Sequence, residues 1–250
     1  MKRIVLSGCN GKMGRMIASC VKGRDDCTVV AGIDVSGEVL DAFPVFTSPA
    51  GCQVEADVII DFSHPSLLTP ILHYAAEKGG IPAVLCTTGY TAEQTAELTK
   101  ASETQPIFYS RNMSLGINLM LELAKKAAKV LGDQFDIEIV EKHHNQKIDA
   151  PSGTALMLAD ALASVRDGET QYMYDRHAQR KKREKSEIGI HSVRGGTIVG
   201  EHEVIFAGNN EVITLSHSAQ SKELFAVGAV NAAVFMSGKG PGLYDMSALV

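Results

Sequence analysis

The stretch RIVLSGCNGKMGRMI, from Arg3 to Ile17, decides the fold at the beginning of the chain. An apolar, β-branched run ends at Ser7, glycines follow at Gly8, Gly11 and Gly14, and a helical pattern continues from there. Glycines at a strand-to-helix turn allow the backbone to approach a pyrophosphate, which the free N–H groups of the helix N-terminus then stabilise. We therefore predict that this turn binds a dinucleotide.

The spacing G-x-x-G-x-x-G differs from the commoner G-x-G-x-x-G, so the glycines alone are a weak match. The sequence that follows the turn strengthens the prediction. The next strand pattern ends at Asp34, where a carboxylate can accept hydrogen bonds from an adenosine ribose. Val35, Ser36 and Gly37 follow, and the nearby cation is Lys12. Since Asp34 would repel a 2′-phosphate, we expect NADH to be preferred, with NADPH possible.

Strand and helix patterns alternate as far as Tyr109, which is typical of βαβ units in a parallel sheet. Runs such as DVIID, residues 57–61, are apolar almost throughout, as expected for strands that helices cover on both faces. We predict a Rossmann-like, doubly wound α/β domain for dinucleotide binding, formed by residues 1–114 and 218–250.

The middle of the chain has a different pattern. A long amphipathic helix pattern begins at Gly116, a helix opens at Ser152, and strand follows strand from Glu187 onward, before a helical pattern from Glu223 to Met236. We predict that residues 115–217 form a second, α+β domain with an open sheet that is mostly antiparallel or mixed.

Composition and charge exclude several classes of protein. Of 250 residues, 45% are hydrophobic and 21% charged, values of an ordinary soluble protein. A net charge of −5 disfavours nucleic acid as a partner, and the short basic run from Arg176 to Lys185 is interpreted as a solvated loop or helix face. No apolar stretch approaches a membrane span, and five cysteines without a C-x-x-C pair suit a reducing compartment, so we expect a cytoplasmic protein.

Two more segments follow strands at the ligand-binding edge of the predicted parallel sheet. They are Cys86-Thr87-Thr88-Gly89 and Ser110-Arg111-Asn112-Met113-Ser114. Small and hydroxyl-bearing residues there can approach a nicotinamide or a ribose, although each segment taken alone could be an ordinary loop. Cys86 is not interpreted as a nucleophile, because no histidine lies near it in the sequence.

The densest cluster of reactive side chains is EKHHNQKIDAPSGT, residues 141–154. Adjacent histidines precede Lys147, and Ser152 can cap a helix whose first residues, Gly153 and Thr154, then offer free N–H groups to a carboxylate. The cluster therefore suits a small carboxylated substrate. A polar interdomain loop remains an alternative, and we expect no metal, since adjacent histidines lack the spacing of metal ligands.

The motif E-x-H-H-x-x-K-x-D-A-P-S-G-T at residues 141–154 resembles the signature of the 4-hydroxy-tetrahydrodipicolinate reductase family, also called dihydrodipicolinate reductases. The resemblance extends over nearly the whole chain, through Gly8 to Gly14, Asp61-Phe62-Ser63, Thr87-Thr88-Gly89, Asn112-Met113-Ser114, Val193-Arg194-Gly195-Gly196, Gly200-Glu201-His202, Ser237-Gly238-Lys239 and Gly242 to Met246. It implies an NAD(P)H-dependent oxidoreductase of diaminopimelate and lysine biosynthesis that forms tetrahydrodipicolinate from a dicarboxylate substrate. It also implies a homotetramer, with residues 115–217 as the substrate-binding and tetramerisation domain.

The resemblance also implies a role for individual residues. His143 and Lys147 would be the catalytic proton donors or acceptors, and His144, Gly153 and Thr154 would bind the substrate. The implied cofactor-binding residues are Gly8, Cys9, Asn10, Gly11, Lys12, Met13, Asp34, Cys86, Thr87, Thr88, Ser110, Arg111, Asn112 and Met113.

The chain departs from the family pattern at four positions, which bear on affinity and pH optimum more than on the reaction class. Cys86 stands where the family often has glycine, Asn145-Gln146 where it has Arg-His, and Lys222 where an arginine is common. Two other functions remain open. A regulatory NAD(H) sensor would not need the 141–154 cluster, and a semialdehyde dehydrogenase would lack this signature.

Overall fold

A computed structural model describes residues 1–249, so that Val250, the end of the predicted nucleotide domain, lies outside the described part. The chain divides into two compact units. The first unit contains Met1–Leu115 and the segment that begins at Glu223, and the second contains Gly116–Lys222. Within residues 1–249, no helix combines the length and the apolar character that crossing a membrane requires.

The first unit begins with β1 (Lys2–Ser7), α1 (Lys12–Lys22), β2 (Cys27–Ile33), β3 (Val45–Phe46), β4 (Val58–Asp61), α2 (Leu68–Glu77), β5 (Ala83–Leu85), α3 (Ala92–Ala101) and β6 (Pro106–Tyr109). The chain continues with α4 (Leu115–Leu131), β7 (Asp136–His143), α5 (Gly153–Ala163), β8 (Gln171–Met173), β9 (Glu187–Arg194), β10 (Gly200–Ala207) and β11 (Val212–Ala219). It returns to the first unit with α6 (Glu223–Met236) and β12 (Gly242–Tyr244). Short 3₁₀ helices lie at Pro49–Gly51, Pro65–Leu67, Gly132–Gln134 and Met246–Leu249.

The sheet of the first unit has seven strands in the order β12-β6-β5-β4-β1-β2-β3, and every pair is parallel. The chain runs outward from β1 to β3, then restarts at β4 on the other side of β1. This is the predicted doubly wound, Rossmann-like topology. The order reverses between β1 and β4, and open α/β sheets bind ligands at the carboxyl ends of the strands that flank such a point.

Strand β1 shows why a nearly continuous apolar sequence folds in this way. Ile4 and Leu6 pack in one core cluster with Ile17 of α1, whereas Val5 packs in the opposite cluster with Ile71 of α2. Both faces of the strand are therefore covered by helices, as the sequence predicted.

The second unit is built on a five-stranded sheet in the order β11-β10-β7-β9-β8. The pairs β10–β11 and β7–β10 are antiparallel, whereas β7–β9 and β8–β9 are parallel. Of the two arrangements left open by the sequence, the sheet is therefore mixed and not mostly antiparallel. The difference arises because α5 and β8 connect β7 to β9, and a crossover through a helix allows two neighbouring strands to run in the same direction.

One face of this sheet forms the core of the second unit. Burial alternates residue by residue along β7 and β10. The buried positions pack in one cluster with residues of α4 and α5, including Ile139 on β7 and Phe206 on β10. The same alternation places Glu141, His143 and His202 on the buried face, at the end where the apolar residues stop.

The basic run from Arg176 to Lys185 forms a mostly exposed loop, as interpreted from the sequence, but Arg183 within it is partly buried and bound to the sheet. Arg183 donates to the carboxylates of Glu138 and Asp136, each at 2.9 Å, and to the carbonyl oxygens of Ile137 and Glu187. These partners lie on β7 and β9, so the loop is attached to strand ends by directed hydrogen bonds. Glu138 lies more than forty residues from Arg183 in the sequence. A local sequence pattern therefore cannot predict this contact.

We predict that Leu158→Ala destabilises the protein by about 2–5 kcal/mol, because the leucine is fully buried between α5 and the sheet. Leu123→Ala on α4 is the matched control, since Leu123 is 45% exposed and should cost less than about 1 kcal/mol. Urea unfolding followed by circular dichroism measures both values. Equal destabilisation by the two substitutions would contradict this description of the core.

Candidate active site

The glycine turn of the first unit ends in a helix N-terminus that is open to an anion. Gly11 is the N-cap of α1 and offers no side chain to the first N–H groups of the helix. The first turn of α1 also contains no acidic residue that would repel a negative charge. Free N–H donors and the positive end of the helix dipole therefore face one location, as pyrophosphate binding requires.

Two glycines of this turn are required by close backbone contacts. Gly8 has a φ of +77°, and a Cβ there would lie 2.3 Å from the carbonyl oxygen of Phe62. A Cβ at Gly14 would lie 2.1 Å from the carbonyl oxygen of Gly8. The helix can therefore pack directly on the turn only when both positions lack a side chain, which brings its N-terminus to the carboxyl ends of β1 and β4.

Asp34 lies immediately after β2 and is oriented by the same turn. Its carboxylate accepts the backbone N–H of Asn10 at 3.0 Å and that of Ser36 at 3.2 Å. The Asn10 side chain in turn donates to Ser36 Oγ at 2.8 Å and to the carbonyl oxygen of Glu38 at 2.9 Å. The structure thus brings Asp34 together with the glycine turn, while Val35 is 86% exposed beside it.

Thr87 has a structural partner that the sequence did not indicate. Its hydroxyl donates to the fully buried carboxylate of Asp61 at 2.6 Å and accepts the backbone N–H of Ser63 at 2.9 Å. Ser63 Oγ also donates to Asp61, at 2.5 Å. Burial raises the pKa of Asp61, although these hydroxyl groups oppose the change. Thr87 therefore joins the ends of β4 and β5, and Thr88 is the exposed threonine of the pair.

The predicted loop after β6 is held by its own hydrogen bonds. Ser110 Oγ donates to the carbonyl oxygen of Asn112 at 2.9 Å, and the Asn112 side chain accepts the N–H of Ser114 at 2.9 Å. Met113 is buried in the core, whereas Arg111 is exposed. The segment is consequently a preformed loop at the carboxyl edge of the sheet.

The candidate site of the second unit lies where three strands continue past the apolar core. The register pairs Glu141 of β7 with His202 of β10, and His143 of β7 with Arg194 of β9. The rings of His143 and His202 are 5.2 Å apart in an edge-to-face arrangement. His143, the histidine predicted to be catalytic, therefore lies in a cluster of polar side chains with Glu141 and His202. None of the three residues is more than 9% exposed.

Glu141 is the most highly connected side chain in this group, and it has no exposed surface. Its Oε2 lies 2.6 Å from Nδ1 of His143 and accepts Nη1 of Arg194 at 2.8 Å. Its Oε1 accepts Nη2 of Arg194 at 2.8 Å and the backbone N–H of Ser152 at 3.1 Å. Arg194 also donates to the carbonyl oxygen of Asp149 at 2.6 Å.

These contacts determine the charges at neutral pH. Burial opposes ionisation of Glu141, but hydrogen bonds from Arg194, His143 and Ser192 outweigh it and hold the pKa of the carboxyl at about 2. Burial lowers the pKa of His143, although the hydrogen bond and charge of Glu141 oppose this. Burial, followed by the charge of His143, lowers the pKa of His202 to about 4. At pH 7 an anionic glutamate therefore lies beside two neutral imidazoles.

The other predicted residues surround this group. Lys147 forms an ion pair with Asp149 at 2.8 Å, and its backbone N–H donates to the carbonyl oxygen of His144. Ser152 caps α5 by accepting the N–H of Ala155 at 3.1 Å, and its Oγ lies 3.0 Å from Nε2 of His202. Gly153, the first residue of α5, is exposed.

Sequence reasoning assigned no role to Glu141, Arg194 or His202. A signal for Glu141 was present, because alternation along β7 places its charge in the same row as Ile137 and Ile139. Arg194 meets Glu141 across 53 residues of sequence, and His202 meets Ser152 across 50. No local pattern reveals contacts of this kind.

Comparison with known proteins agrees with these features over both units. Residues 2–113 match the family described as dihydrodipicolinate reductase, N-terminus, and residues 116–250 match the corresponding C-terminus. The chain belongs to the dihydrodipicolinate reductase family. The resemblance seen in the 141–154 motif is thereby confirmed, and the chain is an oxidoreductase.

Members of this family from several bacteria align with the whole chain. A 4-hydroxy-tetrahydrodipicolinate reductase from Caldanaerobacter subterraneus subsp. tengcongensis is 53% identical over 250 residues, covering 100% of this chain and 98% of that protein. The protein of the same name from Staphylococcus epidermidis is 42% identical over 239 residues, covering 96% of this chain and 97% of the relative.

Solved structures also share the fold. The dipicolinate-bound dihydrodipicolinate reductase from Paenisporosarcina sp. TG-14 superposes with a TM-score of 0.82 at 26% identity and covers 100% of both chains. A probable dehydrogenase from Thermotoga maritima has a TM-score of 0.64 at 12% identity, covering 97% of this chain and 91% of that one, which shows similarity of fold alone.

The buried position of Cys86 predicts low reactivity. Burial, and secondarily the charge of Asp61, raises the pKa of this thiol well above the ordinary value, so the thiolate fraction at pH 8 is smaller than that of a free cysteine. We expect iodoacetamide at pH 8 to label Cys20, which is partly exposed, well before Cys86 in the native protein. Mass spectrometry of tryptic peptides measures both rates, with urea-unfolded protein as the control. Equally fast labelling would contradict the prediction.

Proposed function

We propose that the chain reduces 4-hydroxy-tetrahydrodipicolinate to tetrahydrodipicolinate with NAD(P)H, in diaminopimelate and lysine biosynthesis. One observation carries the proposal. The second unit contains His143 hydrogen-bonded to an ionised Glu141, together with Lys147 and the N-terminus of α5. The names of the relatives and the whole-chain family match support it. A non-catalytic NAD(H) sensor would have no use for this grouping.

We assign the cofactor to the first unit, whose turn fits a nicotinamide dinucleotide. The uncapped N-terminus of α1 suits the pyrophosphate, and the fixed carboxylate of Asp34 suits the hydroxyl groups of a ribose. The bound nicotinamide supplies the hydride. The proposed cofactor residues are Gly8, Cys9, Asn10, Gly11, Lys12, Met13, Asp34, Cys86, Thr87, Thr88, Ser110, Arg111, Asn112 and Met113.

We assign the dicarboxylate substrate to the second unit. Gly153 and Thr154, at the start of α5, would bind one carboxylate of the substrate, and His144 would contribute a further contact. The structure from Paenisporosarcina contains dipicolinate, itself a ring dicarboxylate, which supports this ligand class. Contacts from α5 and from His144 together would hold the substrate ring in one orientation, and orientation is a large part of catalysis.

Lys147 would supply the proton that follows the hydride, and His143 would act beside it as a proton donor or acceptor. His143 is neutral at pH 7 and hydrogen-bonded on one ring nitrogen, and the ammonium group of Lys147 carries protons that it can donate. A general acid at a developing negative charge accelerates a reaction by about 10² to 10⁴-fold.

The proposal extends to assembly and location. We propose that residues 115–217 carry the contacts of a homotetramer, which light scattering at several concentrations would test. A cytoplasmic location is supported by five cysteines that are all free thiols.

Lys147→Ala should reduce kcat by about 10² to 10⁴-fold, because the substitution removes a proton donor. The affinity for NADH should change little, because Lys147 lies in the second unit whereas the cofactor is assigned to the first. The assay follows NADH absorbance with the condensation product of pyruvate and aspartate semialdehyde. Lys142→Ala is the matched control, since Lys142 lies on the opposite face of β7 and pairs with Glu201 and Glu203. Near-normal turnover of Lys147→Ala would refute its role, and a wild-type protein that oxidises no NADH would favour the sensor.

The wild-type chain should use NADH better than NADPH, by about tenfold or more in kcat/KM, because Asp34 repels a 2′-phosphate and the side chain that follows it carries no charge. The double substitution Asp34→Ser with Val35→Arg should reverse the preference, since a guanidinium group binds phosphate. Val35→Ser alone is the control, because it leaves the carboxylate in place. A clear NADPH advantage of the wild type would overturn the assignment.

A further inference from the structure

Arg194, His143, Ser152 and Ser192 all donate hydrogen bonds to the carboxylate of Glu141, more than a structural ion pair needs. Both terminal nitrogens of Arg194 bind it in a two-point fork, Nδ1 of His143 lies 2.6 Å away, and the Ser152 N–H donates at 3.1 Å. Bidentate, charge-assisted contacts of this kind give the strongest geometric restraint among protein hydrogen bonds. The carboxylate therefore has one orientation relative to His143.

An ionised carboxylate accepts hydrogen bonds and cannot donate them. Since Glu141 is anionic at neutral pH, the proton in the contact with His143 belongs to Nδ1 of the imidazole. Nε2 of the neutral ring consequently carries the lone pair. A Cβ at Gly200 would lie 3.1 Å from this Nε2, so the absence of a side chain there leaves space beside the reactive nitrogen.

The other carboxylate oxygen connects this histidine to the helix proposed to bind substrate. Oε1 of Glu141 accepts the N–H of Ser152, which is the N-cap of α5. Arg194 extends the connection by donating to the carbonyl oxygen of Asp149, three residues before the cap. One side chain thus fixes both the ring of His143 and the position at which α5 begins.

We propose that Glu141, held by Arg194, is a positioning residue that fixes the Nδ1–H tautomer of His143, directs Nε2 toward the substrate, and sets the start of α5 relative to that nitrogen. The proposal rests on the proposed function, because it acts through the role assigned there to His143. In other enzymes, too, a carboxylate holds one nitrogen of a histidine and thereby orients the other nitrogen toward its reaction partner.

The decisive variant is Glu141→Gln, which retains the size of the side chain but removes its charge. An amide can donate as well as accept, so the ring of His143 is no longer restricted to one tautomer. We expect kcat to decrease by about 10- to 100-fold while KM for NADH changes little. Glu138→Gln is the matched control, since Glu138 lies on the same strand and also binds a histidine and an arginine, His191 and Arg183.

Two readouts separate positioning from mere structural support. Nitrogen-15 NMR of the histidine rings, assigned with a His143→Gln spectrum, should show Nδ1–H in the wild type and a mixed or inverted tautomer in Glu141→Gln. The limb of the pH–rate profile due to His143 should move to lower pH in that variant, because Glu141 raises the pKa of the imidazole, whereas Lys147 and Arg194 lower it. The other titratable group that faces the ring is His202.

Further variants keep the test decisive if Glu141→Gln folds poorly. Glu141→Asp retains the charge and should retain the Nδ1–H tautomer with reduced kcat, and Arg194→Lys should do the same because it loses only the fork. An unchanged tautomer and an unchanged pH profile in Glu141→Gln would overturn the proposal. So would a loss of activity in these variants that only follows the loss of folded protein. The tautomer of the wild type is measured without substrate, so it tests this inference even if the wild-type assay fails to show the proposed reduction.

Discussion

A carboxylate with no exposed surface lies at the end of β7, and the site of the second unit depends on how its charge is compensated. Burial of an uncompensated carboxylate costs roughly several kcal/mol. Glu141 is stable there because Arg194, His143, Ser152 and Ser192 donate to it together. These donors come from β9, from β7 itself, and from the N-cap of α5. The requirement for charge compensation therefore brings three chain segments to one point, and it orders the residues around them.

The features that the sequence predicted are those that arise from neighbouring residues. The glycine turn with Asp34, the N-cap at Ser152 and the apolar parallel strands each follow from a short pattern, and each is present in the structure. The doubly wound topology could be predicted because strand, helix and strand alternate at short spacing over the first hundred residues.

Features that depend on strand register could not be predicted in the same way. Arg194 meets Glu141 because β7 pairs with β9 in one particular register, and Thr87 meets Asp61 because β4 and β5 are neighbours. The parallel pairing of β7 with β9 likewise follows from a crossover that contains α5, whereas the sequence of each strand alone is equally compatible with antiparallel pairing. Long-range hydrogen bonds of this kind leave little local trace, apart from a charged residue in an apolar row.

The two units use helix N-termini in different ways. Gly11 leaves the first N–H groups of α1 without a side-chain acceptor, which suits a doubly charged pyrophosphate. Ser152 instead accepts the N–H of Ala155, so that α5 offers fewer donors to a ligand than α1 does. A smaller set of donors suits a single carboxylate group and limits what else can bind there.

Charge balance in the 141–154 segment shows how such a site can select a dianion under the proposed function. Arg194 is neutralised by Glu141, and Lys147 by Asp149, while Asn145 and Gln146, which hydrogen-bond to each other, add no charge. A substrate carboxylate that takes Lys147 from Asp149 therefore exchanges one ion pair for another, at little net electrostatic gain. Under the proposed function, the remaining attraction would come from the N-terminus of α5, where the helix dipole favours a negative charge within the first turn. Selectivity would then depend on where α5 begins relative to His143, and not on a general positive field.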